Sequence, residues 1–415
     1  MKAPSKISAG TMSALGVGWF GILFFWAFYS GTMPLFLREF TDSKFTISLV
    51  LTLAGISGCI VPPVVGFLSD RTRSRYGCRR PYIFFGMLGV FVCFIALPHV
   101  QAFAAVIFVS ALSYFCMDTA QTPYMALLPD ITPAHQRSTA SGVMSFFGNV
   151  GLMACFFLSS RLWEEYRVEL FYLVSLITAG CTLAAIALLK EPAAPVVQLS
   201  ARANPFRHLR GLAKERNAMK FFLAQFFWWL GFWVVQSFLT LFMVESLNVP
   251  EGKALLAPFT ATVLQTCFVL PFGLLGDRFS RKRILFCMIL FWAAVQSLIG
   301  FSHTYTQAIV LVSLTGIPLA AVGSVAYAFM LDLIPAGRTA EFVGLGVISM
   351  AAPQIFGPMT AGALIDSSGY PLIFPTAAAC MLIASLLTLS IHTNGTHEPA
   401  PAALAPPEAA YKRAS

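Results

Sequence analysis

The sequence predicts an all-α membrane protein with twelve transmembrane helices in two six-helix, pseudo-symmetric halves. Three observations carry that expectation. The 415 residues are 57% hydrophobic and 11% charged, with a mean hydropathy of +0.75, a balance too apolar for a water-soluble globule. The apolar residues gather into twelve runs, each long enough to cross about 30 Å of hydrocarbon as a helix. A Gly-x-x-x-Asp-Arg motif occurs twice between such runs, as Gly66, Asp70, Arg71 and as Gly273, Asp277, Arg278, and the two aspartates lie 207 residues apart.

The runs fall near 14–37, 46–69, 82–99, 102–128, 139–160, 170–189, 219–243, 254–276, 284–301, 305–331, 341–365 and 371–391. The thirty-nine phenylalanines would be a liability in water but can face acyl chains in lipid. Basic residues are distributed unevenly. With both termini on one side, that side holds 22 of the 27 Lys and Arg, and short basic loops stay in the cytoplasm. Both termini are therefore expected to be cytoplasmic in a cell (inner) membrane. Topology also accounts for the net charge of +9, since the charges sit in loops rather than on one face, so no nucleic-acid partner is expected.

The loop after the second run concentrates charge: Arg71, Arg73, Arg75, Arg79 and Arg80 fall within ten residues. Residues 191–218 are basic and hold three prolines, which suits a cytoplasmic linker between an N-terminal half (1–190) and a C-terminal half (219–391). The Ala/Pro-rich stretch 392–415 is expected to be a disordered tail. Nine scattered cysteines without a CxxC spacing, and six histidines without a cluster, predict neither a disulfide framework nor a metal site. No GxxxxGK[ST] loop is present, and neither a cofactor nor ATP-driven work is expected.

A second pair of motifs repeats. Tyr124 to Pro133, followed by Arg137, parallels Tyr327 to Pro335, followed by Arg338, with Asp130 and Asp332 202 residues apart. Two six-helix halves related by parallel duplication are the pattern of the major facilitator transporters, and Ser69 to Pro81 resembles their glycoside–pentoside–hexuronide and sucrose-transporter branch. The segment Gln121-Thr-Pro-Tyr-Met-Ala-Leu-Leu-Pro-Asp130 is similar to the helix-four signature of sucrose transporters. The resemblance implies a secondary transporter, not an enzyme, moving a sugar or small glycoside inward with a proton through alternating access. An exporter of amphipathic compounds, a pigment carrier and a non-transporting membrane scaffold are the competing readings. Runs one and two hold no Asp, unlike the sodium-coupled melibiose permeases. Met125 and Tyr114 stand where sucrose transporters carry Arg and Asp, so sucrose itself is not implied.

Asp118 stands ten or so residues inside the fourth run, near mid-bilayer. An acid there costs about 2.5–3.5 kcal/mol on insertion scales, and a wet cavity with a proton or substrate site is the usual gain that offsets it. Packing against a neighbouring helix is the alternative. Tyr114, Asp118 and Gln121 share one helical stripe, as do Gln225, Trp229, Phe232 and Gln236 on helix seven. Amides alternating with aromatic rings suit a sugar's hydroxyls and C–H faces. Trp228 and Trp233 read as interfacial-belt residues. Phe25, Tyr29, Asn149, Gln265 and Gln354 are further substrate-site candidates, with interhelical hydrogen bonding as their alternative. Gly66 and Gly273 suit a close backbone approach. The charges Asp70, Arg71, Arg79, Arg80, Asp277 and Arg278 read as a cytoplasmic gate, with Asp130–Arg137 and Asp332–Arg338 as companion ion pairs.

Overall fold

A computed structural model describes residues 7–133, 136–189, 215–334 and 339–392. Arg338, all but the end of the 191–218 linker, and the tail beyond 392 lie outside them. Among the described residues, twelve helices are long and apolar enough to cross a membrane: α1 Ala9–Gly31, α2 Lys44–Arg71, α3 Arg80–His99, α4 Phe103–Ile131, α5 Thr139–Leu162, α6 Arg167–Leu188, α7 Arg216–Leu247, α8 Glu251–Arg278, α9 Arg281–Ile299, α10 Tyr305–Leu333, α11 Leu345–Ser368 and α12 Tyr370–Leu389.

Local signals set several of the ends. The Ser8 hydroxyl accepts the Thr11 amide, Ser43 accepts Thr46, and Thr304 accepts Gln307, satisfying N–H groups that a helix start leaves free. The first span begins five residues before its expected start, at that Ser8 cap, and stops at Gly31 rather than 37. The chain breaks at Thr32 and resumes as a short helix, Met33–Leu37, opened by Pro34. Helix α7 breaks in the corresponding place, between Gln236 and Leu239.

Lipid tails give no hydrophobic drive between helices, so packing rests on close backbone approach. In the C-terminal half, a Cβ on Gly231 of α7 would lie 2.6 Å from the Ala377 carbonyl oxygen of α12. Large apolar side chains such as Phe85, Phe108 and Leu270 remain exposed and are solvated by acyl chains. Fully enclosed aromatics fill each half: Phe24, Phe25, Phe28, Phe94 and Phe171 in the first, Phe221, Trp228 and Trp292 in the second.

Residue 7, the α2–α3 and α4–α5 loops and the end of α6 share one face. The Ile7 amide donates to Gln136 Oε1, Arg79 reaches Asp130, and Arg80 donates to the Leu189 carbonyl oxygen. In the second half, Lys282 donates to the Ile391 carbonyl oxygen at 2.6 Å and Lys220 to that of Ser390 at 2.8 Å, so residue 392 lies beside the starts of α7 and α9. This terminal face and the opposite face differ. Among the described residues, every hydrogen bond and ion pair joining the two halves lies on or towards the opposite face. There α2 meets α11 and α5 meets α8. A Cβ on Gly55 would lie 2.9 Å from the Gln354 carbonyl carbon, and Thr52 Oγ1 donates to the Ile355 carbonyl oxygen at 3.2 Å. The conformation is closed on the opposite face.

Gly231→Ala should lower the thermal midpoint in detergent, because a methyl driven into a carbonyl overpacks by about 1–3 kcal/mol. Gly58→Ala meets nothing within 4 Å and should hold or raise it, since Ala favours a helix. Equal midpoints for the two variants would overturn this reading of the α7–α12 contact.

Candidate functional site

In the N-terminal half the proposed stripe on α4 comes together with α1 and α2. Trp26, a residue the sequence reading did not single out, donates its indole N–H to Gln121 Oε1 at 2.6 Å and stacks on Tyr114 with ring centres 6.0 Å apart. Tyr114 also touches Tyr29 at 3.9 Å, and Tyr29 packs on Phe25 at 5.2 Å. The Tyr29 hydroxyl donates to the Ser110 carbonyl oxygen. Phe25, Tyr29 and Tyr114 are almost wholly enclosed, whereas Trp26 is half-buried. The Trp26–Gln121 pair is thus more exposed than the deeper rings.

Asp118 follows on the same stripe and is only 5% exposed. Its neighbour is Ser57 of α2, yet Asp118 Oδ2 and Ser57 Oγ are both buried without a completed hydrogen bond. Asp118 forms no ion pair with a described residue. A buried carboxylate oxygen without a donor is expensive.

In the C-terminal half Gln225 Oε1 and Trp229 Nε1 are buried and also lack partners. The Trp229 ring meets Phe232 at 5.5 Å, and Phe232 meets Trp292 of α9 at 5.8 Å. Gln236 closes the first part of α7, half-buried. The two bland tryptophans separate: Trp228 is fully enclosed beside Phe221, in the core rather than in an interfacial belt, and Trp233 lies against Gly357 of α11. Asn149 of α5 and Gln265 of α8 are half-buried. Gln265 sits where Gly316 of α10 lets the chains approach, and Gln354 lies on the α2–α11 contact, against Gly55.

The charges on the terminal face form one device in each half. Arg79, at the start of α3, bridges Asp70 at 2.7 Å and Asp130 at 3.1 Å. Arg281, 202 residues later, bridges Asp332 at 2.8 Å and Asp277 at 3.6 Å. Burial works against the Arg79 charge, but Asp130 and Asp70 more than offset it and hold the guanidinium ionised beyond its ordinary range. Two expectations need correction. Asp130 does not take Arg137, whose guanidinium instead donates to the Thr132 and Pro129 carbonyl oxygens, groups freed by the end of α4. Asp332 is held by Arg281; its expected partner Arg338 lies outside the described residues. Nor do the motif glycines serve a close approach in this conformation. A Cβ on Gly66 would meet only the Thr122 methyl at 3.9 Å, and one on Gly273 nothing within 4 Å. Arg71 lies over the Phe67 ring at 3.8 Å, and Arg278 is exposed.

The opposite face holds a charged cluster that the sequence reading missed. Glu251 accepts the Trp163 indole N–H at 2.6 Å, pairs with Arg38 and lies 3.7 Å from Arg167. Glu245 takes Lys44 at 2.8 Å, Arg38 at 3.8 Å and the Tyr370 hydroxyl at 2.9 Å. The signal was present as opposite charges at matched positions of the two halves, but no hydropathy pattern points to it.

Comparison with known proteins agrees with this architecture. Residues 15–264 and 221–413 match the family model described as Major Facilitator Superfamily. Solute carrier family 45 member 3 of Macaca fascicularis is 25% identical over 71% of this chain and 65% of its own length. The sucrose transport protein SUC3 of Arabidopsis thaliana is 29% identical over 35% of this chain and 28% of its own. This chain therefore spans less than two thirds of either relative. A crystal structure of a D-xylose–proton symporter superposes with a TM-score of 0.74 at 14% identity, covering 93% of this chain and 98% of its own, which shows the fold.

Arg79→Ala and Arg281→Ala should each lower the thermal midpoint more than Arg71→Ala, by an amount on the order of 1 kcal/mol given the solvent exposure of the carboxylates. An Arg71→Ala loss as large as the other two would mean the bridges contribute nothing.

Proposed function

The chain belongs to the Major Facilitator Superfamily, and from that membership we propose that it carries a sugar or small glycoside inward together with a proton. Twelve helices in two halves, whose hydrogen bonds and ion pairs to each other among the described residues all lie on or towards one face, suit alternating access, in which the halves rock about a central site. The terminal face reads as cytoplasmic on its excess of Lys and Arg, in a cell (inner) membrane. The closed opposite face then makes the present conformation inward-facing. Solute groups would meet Gln121 and Trp26 from one half and Gln225 and Trp229 from the other. The indole rings offer flat faces to sugar C–H groups, and the unpartnered Gln225 oxygen and Trp229 N–H offer one acceptor and one donor to hydroxyls. Asn149, Gln236, Gln265 and Gln354 are outlying members of that lining; Phe25, Tyr29 and Tyr114 support it from behind. When the halves rock the other way, the bridged pairs at Asp70 and Asp277 would meet across the terminal face and close it. Similarity to a sucrose transport protein favours this substrate class.

One observation carries the coupling: Asp118, enclosed, unpaired and lacking a bonded partner. A charge at that depth is costly, and taking up a proton cancels it, so the carboxyl can load on one side of the cycle and release on the other. Asn keeps its shape but cannot titrate. Asp118→Asn should abolish uphill accumulation of solute driven by a pH gradient in proteoliposomes, while counterflow in the same preparation persists. A variant that still concentrates solute like the parent would make Asp118 a packing residue, and strict dependence on sodium would overturn proton coupling. Gln225→Ala and Trp229→Ala should weaken solute binding by thermal shift across a sugar panel at least several-fold more than Trp233→Ala.

A further inference from the structure

The twelve-helix body is held shut on the opposite face by contacts that follow the internal repeat. Helix α2 begins at Lys44, and its first amides need acceptors. Ser43 takes the Thr46 amide, and Asp366 of α11, from the other half, takes the rest. Its Oδ1 accepts the Lys44 N–H at 2.8 Å, its Oδ2 accepts the Phe45 N–H at 3.0 Å, and Oδ2 also accepts the Ser43 hydroxyl at 2.8 Å. A carboxylate at a helix N-terminus both satisfies N–H groups and meets the positive end of the helix dipole. The reciprocal contact occurs on the same face, where α5 meets α8. Glu164, just after α5, accepts the Gly252 amide at the start of α8 at 2.9 Å. Asp366 and Glu164 are 202 residues apart, the separation of Asp130 and Asp332. Phe45 and Gly252 are 207 apart, the separation of Asp70 and Asp277. The two caps occupy equivalent places in the duplicated halves.

We propose that Asp366 and Glu164 are paired, symmetry-related capping residues that form one latch on the opposite face, each half capping the other's second helix, so that this face opens only when both caps release together. The charges between them favour the same closed state. Arg38 and Lys44 of the first half face Glu245 and Glu251 of the second, and each cation stands 207 residues before an acid. Equivalent positions thus carry opposite signs and attract where the halves meet. In alternating access, rocking must break two caps and this charged seam at once, which makes the step cooperative.

A latch differs from two local caps in what happens at a distance, and hydrogen exchange of the whole protein in lipid nanodiscs distinguishes them. In Asp366→Ala, exchange is read at the Gly252 amide, whose own acceptor Glu164 is untouched; in Glu164→Ala, it is read at Lys44 and Phe45. A cap worth about 1 kcal/mol corresponds to about a fivefold change in the open population. Exchange at the distant amide should therefore rise about fivefold in either variant, and Glu165→Ala, the neighbouring acid, should change neither. Unchanged distant exchange would overturn the latch and leave two independent caps, as would an equal rise with Glu165→Ala. Should either alanine variant fail to fold, Asp366→Asn and Glu164→Gln keep one acceptor oxygen while removing the charge. They should then raise the distant exchange by a smaller factor, and no rise in them would equally overturn the latch.

Discussion

The structure depends on how the free N–H groups at the start of α2 are satisfied. No other described helix end takes a carboxylate from the opposite half so completely, with two amides and a hydroxyl converging on Asp366. In hydrocarbon or at its edge, unpaired backbone groups are costly enough to dictate geometry. The acceptor for α2 lies on α11, so the two halves must meet there, and once they meet, Thr52 and Gly55 bring the backbones of α2 and α11 together beneath the cap. The closed opposite face belongs to that arrangement.

The two faces solve the same electrostatic problem differently. On the terminal face each half neutralises itself, Arg79 between Asp70 and Asp130, Arg281 between Asp277 and Asp332. These bridges brace three helix ends within one half and leave the halves free to separate. On the opposite face the partners come from different halves, and separation leaves charges without counterparts. Exposed pairs contribute little singly, so closure there rests on number and on the directional caps.

The helices were legible in the sequence because lipid imposes a length and a composition on every span, and eleven of the twelve lie close to their expected places. The exception, α1, was displaced by a Ser8 cap and a break at Thr32 that an apolar run conceals. Ion pairs were less legible. Asp130 has Arg137 seven residues away in sequence, yet Arg79, fifty-one residues away, is its partner, since Arg137 is drawn to carbonyls at the end of α4. The stripe on α4 brought Tyr114 and Gln121 to one face as periodicity requires. Periodicity cannot tell a cavity from a core inside a bundle, however, so Phe25, Tyr29 and Tyr114 read like substrate-site groups and sit enclosed, while Trp26 went unnoticed beside them. Ser57, the neighbour of Asp118, carries no sequence signal at all.

The sign reversal at the seam bears on the chain's history. If two copies of one half had assembled as a homodimer, the residue at the place of Arg38 would face both its own copy and the residue at the place of Lys44. Like charges would then oppose one another about the two-fold axis. Opposite signs at equivalent places require two sequences free to change separately, which gene fusion provides and self-association does not. The attractive seam between Arg38, Lys44, Glu245 and Glu251 thus joins two unlike halves, where two copies of either half would set like charges against each other.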